Sequence, residues 1–170
     1  MLDSIAQAIA GSDANEAALY LLRNVPGLPP IVQTIHILAI AALMASVAFV
    51  ALRSLGLALP SQDLREMVRR LMPWTWWALP VLLLSGGLLV LARPQRYFSN
   101  PVMGWKMLFL LAALVLSVLM VQRIRRSASN GFAARPLRLK LMAAGVLFFW
   151  VLTVLAGRWI AYSDYLFLPA

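Results

Sequence analysis

Apolar side chains dominate this chain in long unbroken stretches rather than in the alternating or one-faced patterns of a water-soluble fold. Four such stretches, at 30–52, 73–92, 103–121 and 139–162, are separated by short polar segments. The hydrocarbon core of a bilayer is crossed by about 20 apolar residues of helix, so each stretch is predicted to be a transmembrane helix. The expected fold is all-α: a four-transmembrane-helix bundle with a short amphipathic N-terminal interfacial helix. Residues 1–29 form the expected interfacial segment, 30–162 the membrane domain, and 163–170 a tail on the same side as the N-terminus.

The N-terminal segment is too short and too polar to span. Ser4 with Gln7, and Asp13 with Glu16, have the spacing of a helix capping box. Leu19, Leu21 and Leu22 then supply an apolar side before Asn24, which suits a helix lying on the membrane surface. Pro26-Gly27 and Pro29-Pro30 break this segment from the first span. The start Met1-Leu2-Asp3 has no basic region ahead of an apolar run, so the first span is expected to act as the insertion signal.

Composition agrees with the pattern. Of the 170 residues, 62% are hydrophobic and 12% charged, well away from the roughly 45–50% and 25% of soluble domains. The absence of cysteine excludes disulfides, thiolate metal sites and cysteine nucleophiles, and a single histidine excludes a multi-histidine metal site within one chain. The net charge of +9 would suggest nucleic acid in a soluble protein, but no soluble reader accompanies it, and no nucleic-acid partner is expected.

The charge instead sets an orientation. The loop after the first span holds Arg53, Arg65, Arg69 and Arg70 against Asp63 and Glu66. The loop after the third holds Arg123, Arg125, Arg126, Arg135, Arg138 and Lys140 with no acid. The opposite side has only Arg23, Arg93 and Arg96, with Asp3, Asp13 and Glu16 in the N-terminal tail. The positive-inside rule places both basic loops in the cytoplasm and both termini outside. The second span opens at the basic side with Pro73-Trp74-Thr75-Trp76-Trp77, where Pro73 suits a first helical turn and the tryptophans an interfacial belt. Pro80 is expected to kink that span, and Asn100-Pro101 to mark a surface turn.

Polar groups inside the spans carry the candidate chemistry, because an ionisable group in a membrane is costly and usually has a task. From a rise of about 1.5 Å per residue, His36 lies about 9 Å below the outer end of span one. Arg158 lies at a similar depth in span four, Ser85-Gly86-Gly87 in span two, and Lys106 one turn into span three. Gln33 is one turn from His36 on the same face. No Asp or Glu occurs within the spans, and Asp164 is the nearest acid beyond span four. Positive groups without an acid suit an anionic ligand: a propionate, a lipid head or a semiquinone. Gly86 and Gly87 would let a flat ligand, or another helix, approach the backbone. His36 and Arg158 are expected to face the bundle interior.

Thr34-Ile35-His36-Ile37-Leu38 after the proline-rich break, Leu71-Met72-Pro73-Trp74-Thr75-Trp76, Asn100-Pro101 ahead of Lys106, and Gly157-Arg158-Trp159-Ile160-Ala161-Tyr162 together resemble a widespread bacterial family. Its members are small four-helix inner-membrane proteins catalogued as a domain of unknown function, and the resemblance covers about residues 17–162. It implies the fold and the membrane but no activity. His36 ahead of a small-residue helix, with Gly86-Gly87, is also distantly similar to copper-resistance D and b-type cytochrome bundles, which place histidines in the outer leaflet. Bis-histidine haem would need a second histidine that the chain lacks. Met107 or Met103 could substitute, since His/Met ligation is chemically ordinary, or two copies of His36 could meet across a homodimer.

The expected function is therefore a small integral membrane subunit or binding protein, redox-associated, with an outer-leaflet pocket for an anionic or quinone-like ligand. The pocket would be formed by His36, Lys106, Arg158, Gln33, Ser85, Gly86 and Gly87. The alternatives are a b-haem electron-transfer protein with His36 and Met107 as axial ligands, and a structural or assembly subunit of a membrane complex. Membrane lipids are expected partners, with other membrane subunits or a second copy as protein partners. No nucleophile–base pair or carboxylate dyad points to an enzyme.

Overall fold

The computed structural model describes residues 2–126, 136–160 and 162; the stretch 127–135, with Arg135, and the tail 163–170, with Asp164, lie outside the described residues. The described residues form helices and no strand: α1 (Leu2–Ile9), α2 (Asp13–Asn24), α3 (Leu28–Leu55), α4 (Leu64–Ala92), α5 (Pro94–Phe98), α6 (Pro101–Arg126) and α7 (Leu137–Ile160). Four of them, α3, α4, α6 and α7, are long and apolar enough to cross a membrane. The shortest has 24 residues, hence about 36 Å of helix against a hydrocarbon core of about 30 Å.

Local chemistry fixes the ends of these helices. Pro29 and Pro30 sit in the first turn of α3, where a missing N–H costs nothing. Gly56 ends α3 with φ 84°, a left-handed conformation that suits glycine, and its N–H returns to the last carbonyls. Arg53 then ties down the following loop by donating to Gln62 O and Pro60 O, both at 2.7 Å. Asp63 caps α4 by accepting from Glu66 N at 2.9 Å, and Glu66 pairs with Arg69 at 2.7 Å and with Arg70.

That cap changes the expected start of the second span. Pro73 is not in a first turn: α4 begins at Leu64 and runs through both Pro73 and Pro80. The Asp63 cap and the Glu66 pairs nucleate the helix earlier, and each proline leaves only the carbonyl four residues before it, Arg69 O or Trp76 O, without a helical N–H. The 93–102 segment also differs from a simple turn. It contains α5, and Asn100 is buried, its Oδ1 accepting from Val102 N at 2.9 Å at the start of α6.

Helix α3 packs along α4 and α7, and α7 packs along α6, whereas α4 and α6 touch only sparsely. The bundle is thus an arc in the order α4–α3–α7–α6 with a nearly open closing edge. The shared core lies toward one end. Its members are Ala39 to Ala51 of α3, Met67 to Ala78 of α4, Ala113 to Ile124 of α6 and Ala143 to Trp150 of α7, with Leu139. Because neighbouring spans run in opposite directions, all these segments lie at the end that carries the basic loops. Within this core Trp150 Nε1 donates to Ser117 Oγ at 3.0 Å, and Ser117 Oγ donates to Ala113 O at 2.7 Å.

The other end is packed differently. Helix α6 buries no side chain before Ala113, and α4 buries only Ser85 and Ala92 beyond Ala78. Here the N-terminal helices add cover: α1 meets α5, and α2 meets α4. Asn15 is buried and fastens α2 to the end of α4, its Nδ2 donating to Leu91 O at 2.5 Å. Ser12, rather than Asp13, caps α2, accepting from Asn15 N at 3.3 Å.

Candidate functional site

The loosely packed end is where the polar intramembrane residues lie. His36 projects from α3 toward α4, and its Nδ1 is 2.7 Å from Ser85 Oγ. Ser85 Oγ is in turn 2.5 Å from Val81 O, one helical turn back. Two oxygens at that distance need a proton between them, and a serine hydroxyl has only one. The hydroxyl therefore donates to Val81 O and must accept from His36, which places a proton on Nδ1. In the neutral ring that leaves the Nε2 lone pair free. No hydrogen-bond partner occupies His36 Nε2 among the described residues.

Glycine makes this arrangement possible. A methyl group at Gly86 would lie 3.3 Å from His36 Cε1, tighter than ordinary van der Waals contact. The imidazole thus rests on bare α4 backbone, with Ser85 beside it. Gly87 takes no part, since a methyl group there would meet nothing within 4 Å.

Lys106 enters from α6. Its side chain is half-buried and lies across α7 at Gly157, where a methyl group would touch Lys106 Cε at 3.5 Å and Nζ at 3.6 Å. It lies within electrostatic range of His36. No acidic side chain pairs with it among the described residues, and the four spans contain no Asp or Glu between 73 and 92, 103 and 121, or along α3 and α7. The site therefore combines a lone-pair acceptor held against α4 with a cation that α6 lays across α7, near the sparse α4–α6 edge.

The remaining expected residues are not brought in. Arg158 is exposed, not turned to the bundle interior: its Nη2 donates to Tyr162 Oη at 3.1 Å, and its guanidinium stands 5.2 Å from the Tyr162 ring centroid. The cause is helix rotation. Gly157 faces Lys106, and the next residue on a helix points about 100° away. Gln33 is exposed, and Met107 is 43% exposed on a stretch of α6 that buries nothing. Gly157 itself was not among the expected residues; a small residue at the depth of Lys106, beside a charged one, was the available signal. An apolar groove of about 290 Å³ adjoins the site along the α3–α4 seam, lined by Val32, Ile35, Val81, Leu84 and Leu88, with Ser85 at its edge.

These features define a small multi-pass α-helical membrane protein with a polar site between its helices. Residues 25–163 match the family of unknown function DUF6644, and the chain belongs to that family. No curated protein and no solved structure matches it.

Proposed function

We propose that this chain is a small membrane binding protein, or the binding subunit of a membrane complex, that takes an oxygen-bearing amphiphile of anionic or quinone-like character at His36 and Lys106. The observation that carries this is Lys106: a half-buried cation without an acidic partner among the described residues, held by Gly157 within range of His36. A charge at membrane depth is expensive unless something compensates it, and nothing on the neighbouring helices does. Bilayer depth and the sparse α4–α6 edge favour a ligand that arrives through the lipid.

Organic extraction of protein purified in mild detergent, followed by mass spectrometry, tests this. The wild type is expected to retain about one such amphiphile per chain, and Lys106→Leu to lose it while staying folded. Equal retention by both would overturn the assignment. A b-haem on His36 is the second reading, favoured by the free Nε2 and weakened by the exposure of Met107. A Soret band in the same preparation, abolished by His36→Ala, would establish it.

The site belongs, on this proposal, to the outer leaflet of a bacterial inner membrane, with the basic end in the cytoplasm. The charge asymmetry supports it: Arg65, Arg69, Arg70, Arg125, Arg126 and Arg138 all lie at the end opposite His36. A cysteine at Ser12 is expected to react with an impermeant thiol reagent in intact cells, and one at Ser61 only after lysis. The reverse pattern would invert the orientation.

A further inference from the structure

The hydrogen-bond chain behind His36 says which form of a ligand the site accepts. Val81 O takes the Ser85 proton, Ser85 Oγ takes the His36 Nδ1 proton, and the ring meets the site with an acceptor at Nε2. This direction is built in. Val81 O cannot donate, and Ser85 cannot reverse without bringing two lone pairs together at 2.5 Å. Lys106, brought in from α6, can only donate. A complementary head must offer a hydroxyl proton to His36 and an oxygen lone pair to Lys106.

We infer that the site binds a membrane-dissolved quinol, and binds it in preference to the corresponding quinone. This inference rests on the binding-site assignment above and deepens it. A quinol hydroxyl donates to Nε2, and its oxygens accept from Lys106. A quinone has carbonyl oxygens alone: it can satisfy Lys106, but it sets a lone pair against Nε2 and leaves that acceptor unpaired. Sites built to bond a hydroxyl reject analogues that lack one for this reason.

Depth argues for a quinol over a phospholipid head with the same donors. His36 lies eight residues into α3 and Ser85 seven from the end of α4, about 10–12 Å along helices that overhang the hydrocarbon core by about 6–7 Å at each end. The site is thus below the headgroup level, where a ring carried on a hydrocarbon chain can reside. The Val32–Leu88 groove on the α3–α4 seam offers an apolar bed for such a chain.

The test uses one compound in two redox states. Decyl-hydroquinone and decyl-quinone are titrated into the purified full-length protein under anaerobic conditions, with binding followed by calorimetry. The reduced form is expected to bind at least about tenfold tighter, the worth of roughly one hydrogen bond with its unmet partner. Ser85→Ala, which releases the ring from its fixed tautomer, is expected to shrink that ratio toward one while the protein keeps binding. His36→Phe is expected to remove it. Equal affinities in the wild type, tighter binding of the quinone, or an unchanged ratio in Ser85→Ala would overturn the preference. Failure of both forms to bind would overturn it too, and the amphiphile identified by extraction would then show separately whether the Lys106 site stands.

Discussion

Trp150→Ala is expected to be the most destabilising single substitution in this protein. Trp150 is 3% exposed and is the bulkiest buried residue of the core that all four spanning helices share among the described residues. Truncating a buried tryptophan typically costs about 3–5 kcal/mol, from lost contacts and the cavity left behind. The mechanism matters in a bilayer. Helix association there gains little from the hydrophobic effect, since lipid tails are as apolar as the core, so close contact carries more of the load. The hydrogen bond to Ser117 is the lesser part. Interhelical bonds in membrane proteins average about 0.6 kcal/mol and reach about 1.7. Ser117→Ala should therefore cost far less than Trp150→Ala, and Trp150→Phe should fall between them. Thermal unfolding of the three variants in one detergent checks this order. A Trp150→Ala protein no less stable than Ser117→Ala would show that the basic-end core does not hold the bundle together.

The uneven distribution of packing explains what could be read in advance. The four spans were legible because length and apolarity are set by the bilayer, not by neighbours. The level of His36, Ser85 and Lys106 along their helices was legible because it is a count of residues. Facing was not. An apolar residue in a span reads the same whether it meets lipid, like the exposed Leu83 and Leu84, or the core, like Leu43. Rotation about the helix axis therefore leaves little trace in the pattern, and it is rotation that turned Arg158 out to Tyr162 while Gly157 met Lys106. The early start of α4 had a visible signal in Asp63 and Glu66, a capping pair outweighed by the conspicuous Pro73. The Asn15–Leu91 bond that seats α2 on α4 depends on two segments far apart in the chain, and no local spacing announces it.

Gly86 and Gly87 offer the sharpest separation of site from scaffold. They are adjacent, both lie on α4 at one depth, and the sequence treats them as a pair. The structure does not. A side chain at Gly86 begins 3.3 Å from His36 Cε1, and a leucine there would push the imidazole off Ser85. At Gly87 a side chain meets nothing within 4 Å and projects into open space. Gly86→Leu is therefore expected to weaken ligand binding by at least about tenfold, because His36 loses both its position and its fixed tautomer. Gly87→Leu is expected to leave binding unchanged. Both substitutions add the same apolar volume and the same gain in helix propensity, so effects on insertion and helix strength cancel in the comparison. Neither touches the basic-end core, so both proteins should keep thermal transitions close to that of the wild type. The measurement is retention of the extracted amphiphile together with the unfolding temperature for each variant. Equal loss in both, or loss in neither, would mean that the bare backbone beneath His36 is not part of a binding site.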